Sequence, residues 1–192
     1  MIGRRIRLAL ALGLLLTTAA VTAEETTPYW DMNAAERDLE LWRHELLAEA
    51  LARDDARLDP FTTDGCSGGL SASWEYVGRM APAFRNAYGE RPPWEDCCIE
   101  HDRCYHGAAG IAATPLESFD ARKRADLELR ACVIETRSGP GETDLVETGL
   151  TDSQVDLIYE AVAELMYRAV RLGGVPCTTL PWRWGYGWPA CD

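Results

Sequence analysis

Four stretches of the chain carry apolar residues three or four positions apart, which is the spacing of one face of an α-helix. They span residues 34–57, 94–109, 114–137 and 151–172, and residues 74–84 are expected to be partly helical. The apolar face of the first stretch would consist of Leu39, Trp42, Leu46 and Ala50. That of the last would consist of Val155, Ile158, Val162, Leu165, Ala169 and Leu172. Strand signals are weak, so the pattern predicts an all-α, mainly helical protein.

Polar residues mark where two of these helices begin. Residues 114–117 read TPLE, which combines an N-cap threonine, a proline at the first helical position and a glutamate three residues after the cap. Residues 151–154 read TDSQ and form a second predicted capping box. Gly173 and Gly174 are a typical helix end.

The first 23 residues have the organisation of a signal peptide. Three arginines precede an apolar run from Leu8 to Leu16, and residues 21–23 read VTA, a small-residue cleavage signal. The apolar run is too short for a comfortable membrane span. We therefore expect a secreted or periplasmic protein with one domain over residues 24–192.

The charge of the chain limits its partners. The whole sequence has 19 basic and 31 acidic residues and a net charge of −12. Without residues 1–23, which hold three arginines and no acid, the net charge becomes −15. Such a chain repels nucleic acid, which we exclude as a partner. It also repels anionic membranes unless a cation intervenes.

Candidate chemistry concentrates in residues 97–105, which read CCIEHDRCY. On a helix, the adjacent residues His101 and Asp102 diverge by about 100°, so they can serve one cleft without pairing with each other. A zinc site made of Cys97, Cys98, His101 and Cys104 is a weak alternative, because adjacent cysteines on a helix place their sulfurs poorly around one ion. In a third interpretation the cysteines only form disulfides.

The motif CC-x-x-H-D-x-C-Y resembles the active-site helix of secreted phospholipase A2, and residues 97–105 match it at every fixed position. Two other segments extend the resemblance. Asp126 precedes Cys132 with five residues between them, as the catalytic aspartate of that family does. Residues 64–69 read DGCSGG and resemble the glycine-rich calcium loop. The resemblance covers residues 61–135 and is greatest to the compact bacterial members of the family.

The resemblance implies a core of two antiparallel, disulfide-linked helices with a calcium loop, between N-terminal and C-terminal helices. It implies calcium-dependent hydrolysis of the sn-2 ester of glycerophospholipids at a membrane or micelle surface. In this interpretation His101 is the general base, Asp126 orients it, and Tyr105 donates a hydrogen bond to Asp126. Calcium would be held by the Asp102 carboxylate and by loop carbonyls, with the Asp64 carboxylate as a further candidate ligand. By position, the loop ligands are Gly65, Ser67 and Gly69.

The residues around Asp126 also favour its assignment as the partner of His101. Asp126 borders an apolar stripe of its helix, where a buried carboxylate needs a partner. His101 is a suitable partner if the two helices pack antiparallel. Taken alone, the arginines and lysine around Asp126 would instead favour a solvent-exposed carboxylate.

The seven cysteines allow three disulfides within the chain and leave one thiol over. The resemblance implies Cys97–Cys132 and makes Cys66–Cys98 plausible. Ala125 stands where many family members have the partner of Cys104. Cys104 then pairs with Cys177 or Cys191, or these two pair together and leave Cys104 free. We slightly favour the second arrangement, which closes a short loop.

Two further questions stay open at the level of the sequence. A non-catalytic calcium- or lipid-binding relative of the same fold is the alternative to an enzyme. The aromatic segment WRWGYGW at residues 182–188 is either a patch for the membrane–water boundary or a cover for the helix pair. His44 and His106 have no matched role and are expected at or near the surface.

Overall fold

The computed structural model describes residues 32–66, 70–108, 114–138 and 151–191. The described part of the chain is mainly helical and contains no β-strand, which confirms the predicted all-α class. None of its helices combines the length and apolar character that a bilayer crossing requires. The predicted signal peptide and the candidate loop ligands Ser67 and Gly69 lie outside the described residues.

The described residues form six α-helices. They are α1 (Met32–Leu51), α2 (Leu70–Met80), α3 (Pro82–Tyr88), α4 (Glu95–His106), α5 (Pro115–Glu135) and α6 (Asp152–Gly173). Both predicted N-caps are present. The Thr114 hydroxyl accepts a hydrogen bond from the backbone N–H of Glu117, and Thr151 forms a reciprocal capping box with Gln154. These caps satisfy amide groups that the first helical turn leaves without partners.

Helix α5 is the centre of the bundle and packs against α1, α4 and α6. One core cluster joins α4, α5 and α6 and includes Trp94, Val133 and Tyr159. A second cluster joins α1, α4, α5 and the C-terminal tail and includes Tyr105 and Trp184. Both clusters lie against α4 and α5, so these two helices are held from both sides.

The predicted apolar faces of α1 and α6 are correct only in part, since Ala50 and Val155 are buried as predicted but several other predicted positions are exposed. In α1 the buried residues are Glu40, His44, Leu47 and Ala50, whereas Leu39 and Trp42 are exposed. In α6 they are Val155, Tyr159, Ala163 and Met166, whereas Leu165 and Leu172 are exposed. Periodicity predicts the buried face of a helix correctly only where that face is also the most apolar one. Helix α1 instead buries Glu40 and His44, which have partners on other helices.

Three disulfides are formed, and they agree with the pairings favoured by the sequence. Cys66–Cys98 joins the loop before α2 to α4, Cys97–Cys132 joins α4 to α5, and Cys177–Cys191 closes the C-terminal tail. Cys104 is free and partly buried. Because Cys97 and Cys98 are both oxidised, the zinc alternative, which needs their thiolates, is wrong.

The aromatic tail packs over the helices. Trp184 is completely buried and donates a hydrogen bond through its indole N–H to the Ser118 hydroxyl. The backbone N–H of Gly185 donates to the carbonyl of Tyr105. Trp188 donates through its indole N–H to the carbonyl of Gly107. Of the two interpretations of this segment, the structure therefore favours the cover over the helix pair.

Replacing Cys97 and Cys132 together by alanine should lower the free energy of unfolding by about 2–4 kcal/mol, because the bridge closes a loop of 35 residues in the unfolded chain. Urea denaturation of the oxidised protein measures this loss. The matched control is Cys104→Ala, which removes a thiol but no bridge and should change stability by less than about 1 kcal/mol. Equal losses in the two variants would show that the α4–α5 bridge does not stabilise the fold.

Candidate active site

The side chains of the candidate site come from two antiparallel helices. Along α4 the order is Cys97 then His101, and their partners on α5 occur in the reverse order, Cys132 then Asp126. The disulfide fixes the register of the two helices. One helical turn further along α4, the His101 ring faces the Asp126 carboxylate, with 2.9 Å between Nε2 and Oδ1.

Asp126 is completely buried, and three side chains bond to its two oxygens. Oδ1 is bonded to His101 and also accepts a hydrogen bond of 2.7 Å from the Tyr105 hydroxyl. Oδ2 accepts a hydrogen bond of 2.9 Å from the Arg171 guanidinium. Burial raises the pKa of Tyr105 well above its ordinary value, so this tyrosine stays a neutral hydrogen-bond donor. Hydrogen-bond partners on both oxygens replace the water that burial removes from Asp126.

One ring nitrogen of His101 is bonded to Asp126, and the other is able to accept a hydrogen bond. In the neutral ring, the contact of Nε2 with the carboxylate favours the tautomer that has its proton on Nε2 and its lone pair on Nδ1. Among the described residues Nδ1 has no hydrogen-bond partner. The ring rests on Tyr105, with 4.2 Å between the ring centroids. The ring is therefore fixed in place, with Nδ1 free to accept a hydrogen bond.

A cavity of about 300 Å³ lies in front of this pair. His101, Asp102 and Gly65 lie on its wall, together with apolar side chains from α5, α6 and the tail. These apolar residues are Leu129, Leu165, Met166, Ala169, Val170 and Trp182. Such a cavity accommodates an aliphatic chain while it keeps one basic nitrogen and one carboxylate next to it.

Gly174, just after α6, has to be small because of Tyr105. A Cβ atom at Gly174 would lie 2.5 Å from the Tyr105 ring and 2.6 Å from its hydroxyl oxygen. The end of α6 therefore shapes the position of the tyrosine that bonds to Asp126. The helix-ending residue Gly174 therefore also serves the site.

Asp102 differs from Asp126 in its partners. Its only hydrogen-bond partner among the described residues is the Thr63 hydroxyl, which donates over 2.6 Å, and no described basic side chain forms an ion pair with it. Thr63 in turn accepts from the backbone N–H of Gly65 over 3.0 Å. Burial, with a smaller contribution from the nearby Asp64 carboxylate, raises the pKa of Asp102 to about 6, although the Thr63 hydrogen bond and His101 act in the opposite direction. Asp102 is thus a buried carboxylate whose charge is poorly balanced.

These groups fit a hard cation. The described residues contain no group of three or more His, Cys, Asp or Glu side chains that could hold a metal. A calcium site does not need one, because carbonyls, hydroxyls and water complete its coordination. Asp102 and Asp64 are close enough for their charges to interact, and the poorly balanced charge of Asp102 favours a cation. Ser67 and Gly69, predicted as further ligands, remain predictions.

The C-terminal tail also reaches this loop. The Tyr186 hydroxyl donates a hydrogen bond of 2.5 Å to the carbonyl of Thr62. Burial, then the charges of Asp102 and Asp64, raise the pKa of Tyr186 to about 12. Tyr186 therefore remains a neutral donor and ties the tail to the segment next to Asp102.

Three charged residues around the site were not identified from the sequence: Glu40, Arg122 and Arg171. The positions of the two other histidines also differ from those expected. His44 is 1% exposed and His106 is 6% exposed, so their expected surface positions are wrong. His44 lies 2.8 Å from the Ser118 hydroxyl, and the His106 ring packs against Phe61 and Tyr186. No local pattern identifies such residues, since their partners lie far away in the chain.

Comparison with known proteins finds no relative of this chain. No protein-family model matches the chain, and no curated protein and no solved structure matches it significantly.

Replacing Asp102 by asparagine should stabilise the protein at pH 7 in the presence of a chelator, by about 1–2 kcal/mol. The folded protein holds the Asp102 proton up to a pH of about 6, whereas the unfolded chain loses it near 3.8. Ionisation of Asp102 therefore lowers stability as the pH rises through this window. Asparagine keeps an acceptor for Thr63 and does not ionise.

Urea denaturation at pH 4 and at pH 7 measures the effect. The difference between Asp102→Asn and wild type should be small at pH 4 and develop fully above pH 6. The exposed residue Asp38 provides the control, and Asp38→Asn should follow the wild-type curve at both pH values. Equal stability of Asp102→Asn and wild type at pH 7 would show that Asp102 is not an unbalanced buried charge.

Proposed function

We propose that this protein is an exported, calcium-dependent phospholipase A2-like lipase that hydrolyses the sn-2 ester of glycerophospholipids. The observation that carries the proposal is the position of His101, which is bonded to the buried Asp126, at the wall of an apolar cavity that the Asp102 residue also lines. A general base, an acyl-sized cavity and a carboxylate suited to a cation are the parts that ester hydrolysis of a lipid needs. The motif resemblance of residues 61–135 supplies the substrate class and the sn-2 position.

His101 acts as the general base in the proposed reaction. Its free Nδ1 accepts a proton from a water molecule, which then attacks the ester carbonyl. The imidazolium that forms is stabilised by the Asp126 carboxylate 2.9 Å from Nε2. Tyr105 and Arg171 keep that carboxylate in place during the proton transfer. The same His101 proton is then available to the leaving alkoxide.

The apolar side chains of the cavity bind the acyl chain and exclude water from it. The walls contributed by α6 and Trp182 place this chain next to His101, so that the ester is held within reach of its base. A phospholipid membrane or micelle is the proposed partner, since it presents such chains at high density.

Calcium is the proposed cofactor. Asp102 would hold it, together with the loop of residues 64–69, where Asp64, Gly65, Ser67 and Gly69 are the candidate ligands. When bound, the ion supplies positive charge that polarises the ester carbonyl and stabilises the oxyanion. It also offsets the repulsion between an acidic protein and lipid phosphate. The net charge of −12 makes such an offset necessary.

The test is fatty-acid release from phospholipid vesicles by wild type and by His101→Gln, each with calcium and with a chelator. The variant should lose activity by roughly 10²–10⁴-fold, the usual contribution of a general base. Wild type should lose activity when calcium is removed. The matched control is Glu100→Gln, an exposed neighbour on α4 that should keep wild-type activity.

Two results would contradict the proposal. Undiminished release by His101→Gln would show that His101 is not the base. No release by wild type from any phospholipid, with calcium present, would favour a non-catalytic calcium- or lipid-binding protein.

A further inference from the structure

Five side chains from four helices form a closed ring of hydrogen bonds behind His101. Asp126 bonds to Tyr105 and to Arg171. The Tyr105 hydroxyl accepts a hydrogen bond of 3.0 Å from Arg122, and Arg122 is paired with Glu40. Glu40 closes the ring by accepting a hydrogen bond of 2.5 Å from Arg171. The ring thus joins α1, α4, α5 and α6.

The charges of this ring balance. Two carboxylates face two guanidinium groups, and the fifth member, Tyr105, is neutral. Arg122 and Asp126 are completely buried, and Glu40 is 9% exposed. A buried charge without a partner would cost several kcal/mol, so each member depends on its neighbours. The ring explains why α1 buries an acidic position that its apolar pattern does not predict.

Arg171 has a special place in the ring because it joins the two carboxylates. Its Nη1 donates to Oδ2 of Asp126, and its Nη2 donates to Oε2 of Glu40. Arg122 supports this position from behind, since its Nη2 donates to the backbone carbonyls of Val170 and Arg171 over 2.7 and 2.9 Å. Both ends of the Arg171 fork are fixed, and so is the helix end that carries it.

The orientation of Asp126 follows from these contacts. Tyr105 and His101 both bond to Oδ1, and a carboxyl group bonded only there remains able to turn about its Cβ–Cγ bond. The donor from Arg171 on Oδ2 prevents this rotation. Oδ1 therefore stays directed at Nε2 of His101, which keeps the imidazole in one orientation and one tautomer.

We infer that Arg171, itself held by Glu40, is a positioning residue that keeps Asp126 aligned with His101 for the proton transfer. This inference rests on the proposed function and extends it to α1 and α6, which lie outside the segment that resembles phospholipase A2. Arg171 does not line the cavity and acts only through Asp126.

The test compares wild type with the double variant Glu40→Gln/Arg171→Met. This variant removes the donor to Oδ2 but keeps the ring neutral, so the fold does not have to bury an unbalanced charge. Fatty-acid release should show kcat reduced on the order of 10- to 100-fold with KM within about 2-fold of wild type, as for a misaligned catalytic group. Arg171→Lys keeps one cationic donor and should retain a higher kcat than the double variant.

The matched control is Arg168→Met. Arg168 is an exposed arginine of α6 whose partner is Glu164, so this variant should keep wild-type kcat. Wild-type kcat in the double variant would overturn the inference. So would an increase in KM with kcat unchanged, since it would place the effect in substrate binding.

Crystal structures of wild type and the variants separate this inference from the proposed function. The distance between Asp126 Oδ1 and His101 Nε2 should remain near 2.9 Å in wild type and Arg168→Met and should exceed hydrogen-bond length in the double variant. If wild type releases no fatty acid, the proposed function fails, but an unchanged distance in the double variant still overturns the positioning role. Should the double variant not fold, the kcat and the distance in Arg171→Met decide, because that variant removes the donor to Oδ2 while Glu40 keeps its pair with Arg122. Wild-type values of both would overturn the inference.

Discussion

The structure depends on one buried carboxylate, that of Asp126. It has no contact with water and is bonded by His101, Tyr105 and Arg171, which come from α4 and α6. A buried charge in this position is stable only if the fold places its hydrogen-bond partners at bonding distance. The α4–α5 disulfide sets the register of His101, Gly174 leaves room for Tyr105, and Glu40 holds Arg171. Much of the packing around α5 therefore serves this single group.

The two acidic residues of the candidate site differ in how their charges are balanced. Asp126 is neutralised by the protein itself and is a permanent part of the fold. Asp102 has only a hydroxyl partner among the described residues, and burial raises its pKa to about 6. The described residues balance its charge poorly, which suits a cation. In the proposed function, adjacent positions on α4 therefore separate proton transfer at His101 from cation binding at Asp102.

Local rules predicted the helices and the two N-caps, because capping and periodicity depend on neighbours in the chain. The His101–Asp126 contact was predictable through the resemblance to phospholipase A2, which implied both this pair and the Cys97–Cys132 bridge between α4 and α5. The buried faces of α1 and α6 were not predictable in this way. Glu40 and Arg122 are buried because they pair with each other, although 82 residues separate them in sequence. Periodicity alone assigns such charged positions to the exposed face of a helix. The roles of Ser67 and Gly69 stay predictions, since they lie outside the described residues.

The central claim is that Asp126 holds His101 as a neutral base with its proton on Nε2 and its lone pair on Nδ1. Nitrogen-15 NMR of the histidine rings at pH 8 tests this claim most directly, with the His101 signals identified by their loss in His101→Gln. We expect a neutral His101 ring in the Nε2–H tautomer, with slow exchange of the proton shared with Asp126. A ring with its proton on Nδ1, or a mixture of both tautomers in rapid exchange, would contradict it.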